Sequence, residues 1–235
     1  GAHALTAVTA ITAQNSLGVV AIHEVPVSFI SQQIETVIED MFPNAVKTGM
    51  LLIDSAVKEV AEVIKKKRLK RVVVDPVIRA STGGHLLDAS AITSLKEVLL
   101  PLARVVTPNL HEAGALVGEK VRNLDEMVEA AKEIKELGPD VVVTGGHLEG
   151  KCVDLLYDGE DIHYFHGSRI DTVNTHGSGC VFSASLATYL AMDYNVVEAT
   201  RLAHDFTRRA IEYSYPCGHG AGVVSPSWQE DRDRQ

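Results

Sequence analysis

Cysteine is scarce in this chain, with three among 235 residues, at positions 152, 180 and 217. That spacing makes neither a disulfide framework nor a zinc motif, and it suits a reducing compartment, so a cytoplasmic protein is expected. Net basic charge is also lacking. The formal charge is -9 at pH 7, which offers no general footprint for DNA or RNA but leaves room for a local basic site facing a phosphorylated ligand. No nucleic-acid partner is expected. An uninterrupted apolar run of about 18 residues is absent, as is a secretory leader pattern, so no membrane span is expected either. Internal repeats, low-complexity tracts and linkers are missing too. What remains is 46% hydrophobic and 23% charged, an ordinary globular balance with ample length for a sizeable core. The expected organisation is one domain over residues 1–224 and a polar tail over 225–235.

Strand-like and helix-like patterns alternate along the chain. Ala45 to Thr48 reads as a short strand, Ile53 to Lys65 as an amphipathic helix, and Arg71 to Pro76 as a buried valine-rich strand stopped by proline. Asp88 is placed to cap a helix over Ala89 to Leu99 that Pro101 breaks; Ala103 to Thr107 is a strand and Asn109 to Leu116 a short helix. Leu124, Met127, Val128, Ala131, Ile134 and Leu137 share one helical face, Asn123 and Glu126 are spaced as a capping box, and Val141 to Thr144 is the next strand. Lys151 to Tyr157 and Asp161 to His166 read as a hairpin around Asp158-Gly159, followed by helices over Ser178 to Met192 and Val196 to Tyr213. Repeated strand, helix and strand units predict an α/β fold with a mostly parallel central sheet covered by helices on both faces.

Chemistry concentrates in Asn174-Thr175-His176-Gly177-Ser178-Gly179-Cys180. Two glycines in a turn before a run of small and apolar residues put Gly177 to Cys180 at the amino end of a buried helix, where unpartnered N–H groups and the macrodipole attract anions. In that field Cys180 is expected to ionise more readily than a free thiol. Equally open on these residues alone is a glycine turn with a small cysteine as packing. Ligands of open α/β sheets bind beyond the carboxyl ends of the strands. Those ends carry Asp75, then Thr107-Pro108-Asn109-Leu110-His111-Glu112, then Thr144-Gly145-Gly146-His147. Asn109 and Glu112 can present an amide and a carboxylate together, as magnesium accepts, or can simply cap their helix; Asp75 can serve a site or close an Asx turn before Pro76.

Taken in order, Ala13-Gln14-Asn15-Ser16, Lys47-Thr48-Gly49-Met50-Leu51, Asp75-Pro76-Val77, Thr107 to Glu112, Gly145-Gly146-His147 and Asn174 to Cys180 resemble the hydroxymethylpyrimidine and hydroxymethylpyrimidine-phosphate kinases of thiamin biosynthesis. Those enzymes belong to the ribokinase-like superfamily, and the likeness runs from Ala7 to about Gly222. It implies a ribokinase-like three-layer sandwich and ATP-dependent phosphorylation of 4-amino-5-hydroxymethyl-2-methylpyrimidine and its monophosphate, with Mg²⁺, in a homodimer. Gln14 matches the glutamine that holds the pyrimidine, and Met50 and Val77 match apolar residues lining that pocket. Cys180 falls at the catalytic position, and Gly177, Ser178 and Gly179 at the anion hole. Asp75 and Glu112 are implied at the metal, Asn109, Thr144 and Gly146 at the nucleotide, and His176 either at a ligand phosphate or bracing the loop. The family commonly begins with a further strand and a Gly/Ser-rich segment, so this sequence is expected to omit the first strand-helix unit. It also carries Thr144 where lysine is common, which removes a cation from the nucleotide side. A pyridoxal-type kinase and a pyrimidine-binding regulatory module without phosphate transfer are the alternatives.

Other polar segments read more plainly. Lys65 to Arg68 suits a solvated helix carboxyl end, His163 and His166 point to opposite strand faces, and Cys217-Gly218-His219-Gly220 reads as a turn. Ser81-Thr82-Gly83-Gly84-His85 is either a connection or a flap over the substrate.

Overall fold

A hairpin with little apolar alternation to announce it comes first in the computed structural model of the chain, which describes residues 1–78, 87–146, 148, 150 and 152–228. Its strands, β1 (Ala10–Asn15) and β2 (Gly18–Glu24), pair antiparallel as a separate two-stranded sheet, with a register shift between Ala13 and Gln14. Asn15 makes the turn: its Oδ1 accepts the N–H groups of Leu17 at 2.9 Å and Gly18 at 3.2 Å, an Asx turn in place of an Asn-Gly signal. Helix α1 (Val27–Asp40) follows Pro26 and buries Ile30 and Ile38.

The predicted valine-rich strands form a six-stranded sheet. In spatial order it is β3 (Val46–Thr48), β4 (Val72–Val74), β5 (Val105–Val106), β6 (Asp140–Val143), β7 (Cys152–Tyr157) and β8 (Ile162–Gly167). The pairs from β3 to β6 are parallel, and those from β6 to β8 are antiparallel. The crossovers are α2 (Asp54–Lys67), α3 (Ala89–Ser94), α4 (Leu110–Val117) and α5 (Leu124–Lys135), and the chain closes with α6 (Ser178–Ala191) and α7 (Val196–Glu212).

Alternation along the strands builds the three layers. Val72, Val74, Val106, Val141 and Val143 pack into the core formed with α1 to α5, whereas Val73, Val105 and Val142 pack with Phe182, Leu186 and Ala203 from α6 and α7. A fully buried valine removes about 1.5–3 kcal/mol of unfavourable hydration, so continuous valine runs are what a sheet covered on both faces requires.

Several local expectations need correction. The helix predicted to Leu99 is α-helical only to Ser94; it widens into a π turn over Leu95–Leu99 and tightens into a 3-10 turn over Leu100–Leu102 that contains Pro101. Proline lacks an N–H, and a changed hydrogen-bond spacing accommodates it where an α-helix would have to stop. Asp88 stands at the N-cap without a side-chain hydrogen bond to the helix. Asn123 caps α5 by accepting from Glu126 N–H, but the Glu126 carboxylate turns to Arg122 N–H, at 2.7 Å, and leaves the box half closed. The Ser81 to His85 segment lies outside the described residues, as does His147.

Candidate active site

A charge interrupts the apolar pattern at β3. Lys47 lies in register with Val73, on the face covered by α6, and its Nζ is 3.2 Å from Oδ2 of Asp75, immediately beyond β4. Ser183, fully buried in α6, reaches the same oxygen at 2.8 Å. An ionised carboxylate only accepts, so the Ser183 hydroxyl donates. Three elements thereby converge on one buried carboxylate at the carboxyl end of the sheet. Neither Lys47 nor Ser183 stood among the predicted site residues; the signal for Lys47 was a lysine inside a strand whose neighbour is all valine.

Cys180 occupies the first turn of α6, close enough to Asp75 for that carboxylate to act on the thiol. The expectation of an acidified thiol is corrected here. Although Cys180 is open to solvent on one side, desolvation by the surrounding atoms pushes its thiol up, Asp75 and Glu112 add to this, and Lys47 only partly opposes them. Desolvation foremost, with the two carboxylates behind it, outweighs the helix terminus.

The turn before α6 is held by the segment from Gly222 to Val224. His176 N–H donates to Gly222 O at 3.1 Å, and Val224 N–H to His176 O at 3.2 Å. Gly177 is the N-cap at φ 87°, a left-handed conformation that a side chain would strain, and no side chain caps the helix. Ser178 N–H is taken by Thr175 O at 3.2 Å, so the groups left for an anion are the N–H groups of Gly179 and Cys180. Open space lies where a Cβ on Gly179 would project, and likewise at Gly146, so neither position blocks the approach of a ligand to its backbone.

Asn109 and Glu112 form a complete capping box. Asn109 Oδ1 accepts from His111 and Glu112 N–H at 2.9 and 3.0 Å, while Glu112 Oε2 accepts from Asn109 N–H at 2.9 Å. Their structural reading is thus realised, yet Glu112 is buried beyond what a cap needs. Burial foremost, with repulsion from Asp75, raises its pKa to about 7, against hydrogen bonds from Asn109 and Ile78 and the charge of Lys47. Two carboxylates share one lysine, a surplus of negative charge that suits a divalent cation. Among the described residues no group of three or more His, Cys, Asp or Glu side chains could hold a metal. Magnesium, which keeps several waters and takes one or two carboxylates together with substrate phosphates, fits this donor set.

A cavity of ≈ 300 Å³ lies beside the hairpin, lined by Gln14, Asn15, Ser16, His176, Cys217, Ala221 and Val223. It joins two of the predicted substrate residues, Gln14 and His176; Met50 and Val77 do not line it. Met50 O accepts from Thr9 Oγ1 at 2.6 Å. Val77 sits at φ 35°, a strained conformation for a β-branched residue, two positions beyond Asp75. Ser16 Oγ accepts from His219 and Gly220 N–H at 3.2 and 3.1 Å and latches the hairpin tip over the cavity. A Cβ on Gly220 would fall 1.9 Å from Ser16 O, so only glycine allows this approach. Thr144, after β6, bridges to Asn109.

A profile of the phosphomethylpyrimidine kinase family matches residues 1–225. The hydroxymethylpyrimidine/phosphomethylpyrimidine kinase of Bacillus subtilis (strain 168) is 39% identical over 224 residues, covering 94% of this chain and 83% of that protein. A thiamine biosynthesis bifunctional protein of Geobacter sulfurreducens is 41% identical over 227 residues, 96% of this chain, which spans only 46% of that longer protein. Among solved structures, an ADP complex of Bacillus subtilis pyridoxal kinase superposes with a TM-score of 0.88 at 38% identity, over 96% of this chain and 87% of that one. The phosphomethylpyrimidine kinase from Clostridium difficile 630 gives 0.79 at 37% identity, over 90% and 87%. Among the described residues no helix is long and apolar enough to cross a membrane.

Proposed function

The chain belongs to the phosphomethylpyrimidine kinase family, and we propose that it transfers a phosphoryl group from ATP to 4-amino-5-hydroxymethyl-2-methylpyrimidine and then to the resulting monophosphate, in thiamin biosynthesis. The observation that carries this reading is the convergence of Lys47, Asp75 and Ser183 beneath the first turn of α6. Phosphoryl transfer needs position and charge neutralisation far more than covalent participation by the protein. The N–H groups of Gly179 and Cys180 face the transferring oxygens, with Lys47 supplying positive charge nearby. Asp75 and Glu112 would hold Mg²⁺, whose role is to neutralise phosphate charge, and Asn109, Thr144 and Gly146 would border the nucleotide. Gln14 and His176 would hold the pyrimidine in the hairpin cavity.

Cys180 serves the alcohol substrate. The thiolate form of Cys180 takes the proton of the attacking hydroxyl as that oxygen bonds to the transferring phosphorus and ADP leaves, and no covalent intermediate forms on the protein. The monophosphate is already anionic at neutral pH and needs no such acceptor. Action as a cytoplasmic homodimer completes the proposal; exposed Ile11, Leu17 and Val20 on the hairpin support the pairing. The second reading, pyridoxal phosphorylation, is favoured by the superposition on the Bacillus subtilis pyridoxal kinase. A coupled assay of ADP release with the pyrimidine, its monophosphate and pyridoxal separates the two. Turnover of pyridoxal without the pyrimidine would overturn the first reading, and tight pyrimidine binding without turnover would overturn both.

A further inference from the structure

Among the described residues, buried ionisable groups outside the cluster around Asp75 are few, and one pair reaches the turn after β6. Asp154 in β7 and His204 in α7 are both buried, and Nδ1 of His204 lies 2.7 Å from Oδ2 of Asp154. The carboxylate can only accept, so the imidazole proton sits on Nδ1. His204 Nε2 is buried with no partner among the described residues, so Asp154 is the sole polar attachment of this ring there. The other oxygen, Oδ1, accepts the N–H of Gly145 at 2.9 Å.

Gly145 is where the chain leaves β6. Thr144 N–H makes the last bond to the neighbouring strand's extension, to Pro108 O at 2.9 Å, and Gly145 O then accepts from Leu148 N–H at 3.0 Å. The turn is pressed onto β7, since a Cβ on Gly145 would lie 1.9 Å from Val153 O. The Arg169 guanidinium holds carbonyls of the same segment, donating to Gly146 O at 3.4 Å, to Gly150 O at 3.5 Å and to Leu148 O. A backbone carbonyl could satisfy one N–H, but a charge-assisted bond is about twice as strong as a neutral one and holds its amide plane more firmly.

We infer that Asp154, oriented by His204, is a positioning residue that fixes the Gly145-Gly146 turn for nucleotide binding. The inference rests on Gly146 bordering the nucleotide. Asp154 touches no ligand: it sets the direction of the Gly145 amide, and with it the open face at Gly146, before ATP arrives. Preorganised backbone lowers the ordering cost of binding, so loss of the dyad acts on nucleotide affinity and spares the pyrimidine cavity.

The test compares Asp154→Asn, His204→Gln and Gly146→Val in the full chain, measuring KM for ATP, KM for the pyrimidine, kcat, and ADP affinity by calorimetry. Removing the charge from a buried hydrogen bond predicts a rise of roughly tenfold in KM for ATP and in the ADP dissociation constant. KM for the pyrimidine stays within about twofold in both dyad variants, a split that general loosening of the fold would not produce. His204→Gln keeps a donor for Asp154 and should lie between wild type and Asp154→Asn; it also carries the test if Asp154→Asn does not fold. If Gly146→Val raises KM for ATP while the folded dyad variants match wild type, the positioning role is refuted and the nucleotide site stands. If Gly146→Val leaves ATP binding unchanged, the assignment of the turn to the nucleotide falls, and the positioning role with it.

Discussion

Glu112 gives stability a pH dependence that one substitution should erase. Glu112 is 6% exposed, and its carboxyl is raised from the ordinary 4.5 to about 7, first by burial and then by Asp75. In the unfolded chain it titrates near its ordinary value. Between the two values the folded protein keeps a proton that the unfolded chain has released, so stability falls as pH rises through that window and levels off above it. The gap between 4.5 and about 7 corresponds to about 3 kcal/mol. Glu112→Gln keeps an acceptor for Asn109 N–H and never ionises. Relative to wild type it should be level, or slightly worse, at about pH 4.5 and better by 2–3 kcal/mol at about pH 8. Urea unfolding of both proteins across this range, with EDTA present, measures the difference. Histidines common to both cancel, and half-buried Glu35, Asp54, Asp158 and Glu198, whose pKa values are lowered, act only at more acidic pH. Added Mg²⁺ should lift wild type at the higher pH and leave the variant unmoved. Parallel stability curves across the range would refute the argument, because they would mean that Glu112 ionises as freely in the fold as out of it.

Lys47→Met should destabilise the fold by about 2 kcal/mol, less than a fully buried pair because Lys47 is 22% exposed, and should abolish most turnover; full activity in a folded variant would exclude Lys47 from phosphate binding. Ser16→Ala removes the acceptor of two loop amides, so KM for the pyrimidine should rise several-fold, by roughly 1 kcal/mol, with KM for ATP unchanged; equal changes in both would point to global loosening. Cys180→Ala should cut turnover of the alcohol more than that of the monophosphate, and wild-type activity on both would remove the thiol from the mechanism.

Much of the architecture is legible because a single physical period carries it. Valines on β4, β5 and β6 must satisfy two cores at once, and continuous apolar runs state this directly in one dimension. Asn109 and Glu112 are legible for a similar reason, since a capping box closes within four residues. The hairpin was less so: its strands are mostly exposed, which leaves little apolar alternation, and its turn rests on one asparagine side chain. What no local pattern contains is the choice of distant partner. Ser183 meets Asp75 across 108 positions only because β3 and β4 pair in one register and α6 crosses that face. The same distance explains the misread thiol. A helix terminus is visible in the sequence around Cys180, whereas the desolvating neighbours and the two carboxylates that reverse its effect arrive from β4 and α4. Each site residue therefore has a sufficient local explanation, as cap, turn or packing. What no single local pattern carries is their convergence, which gathers two buried carboxylates around one lysine beside the start of α6.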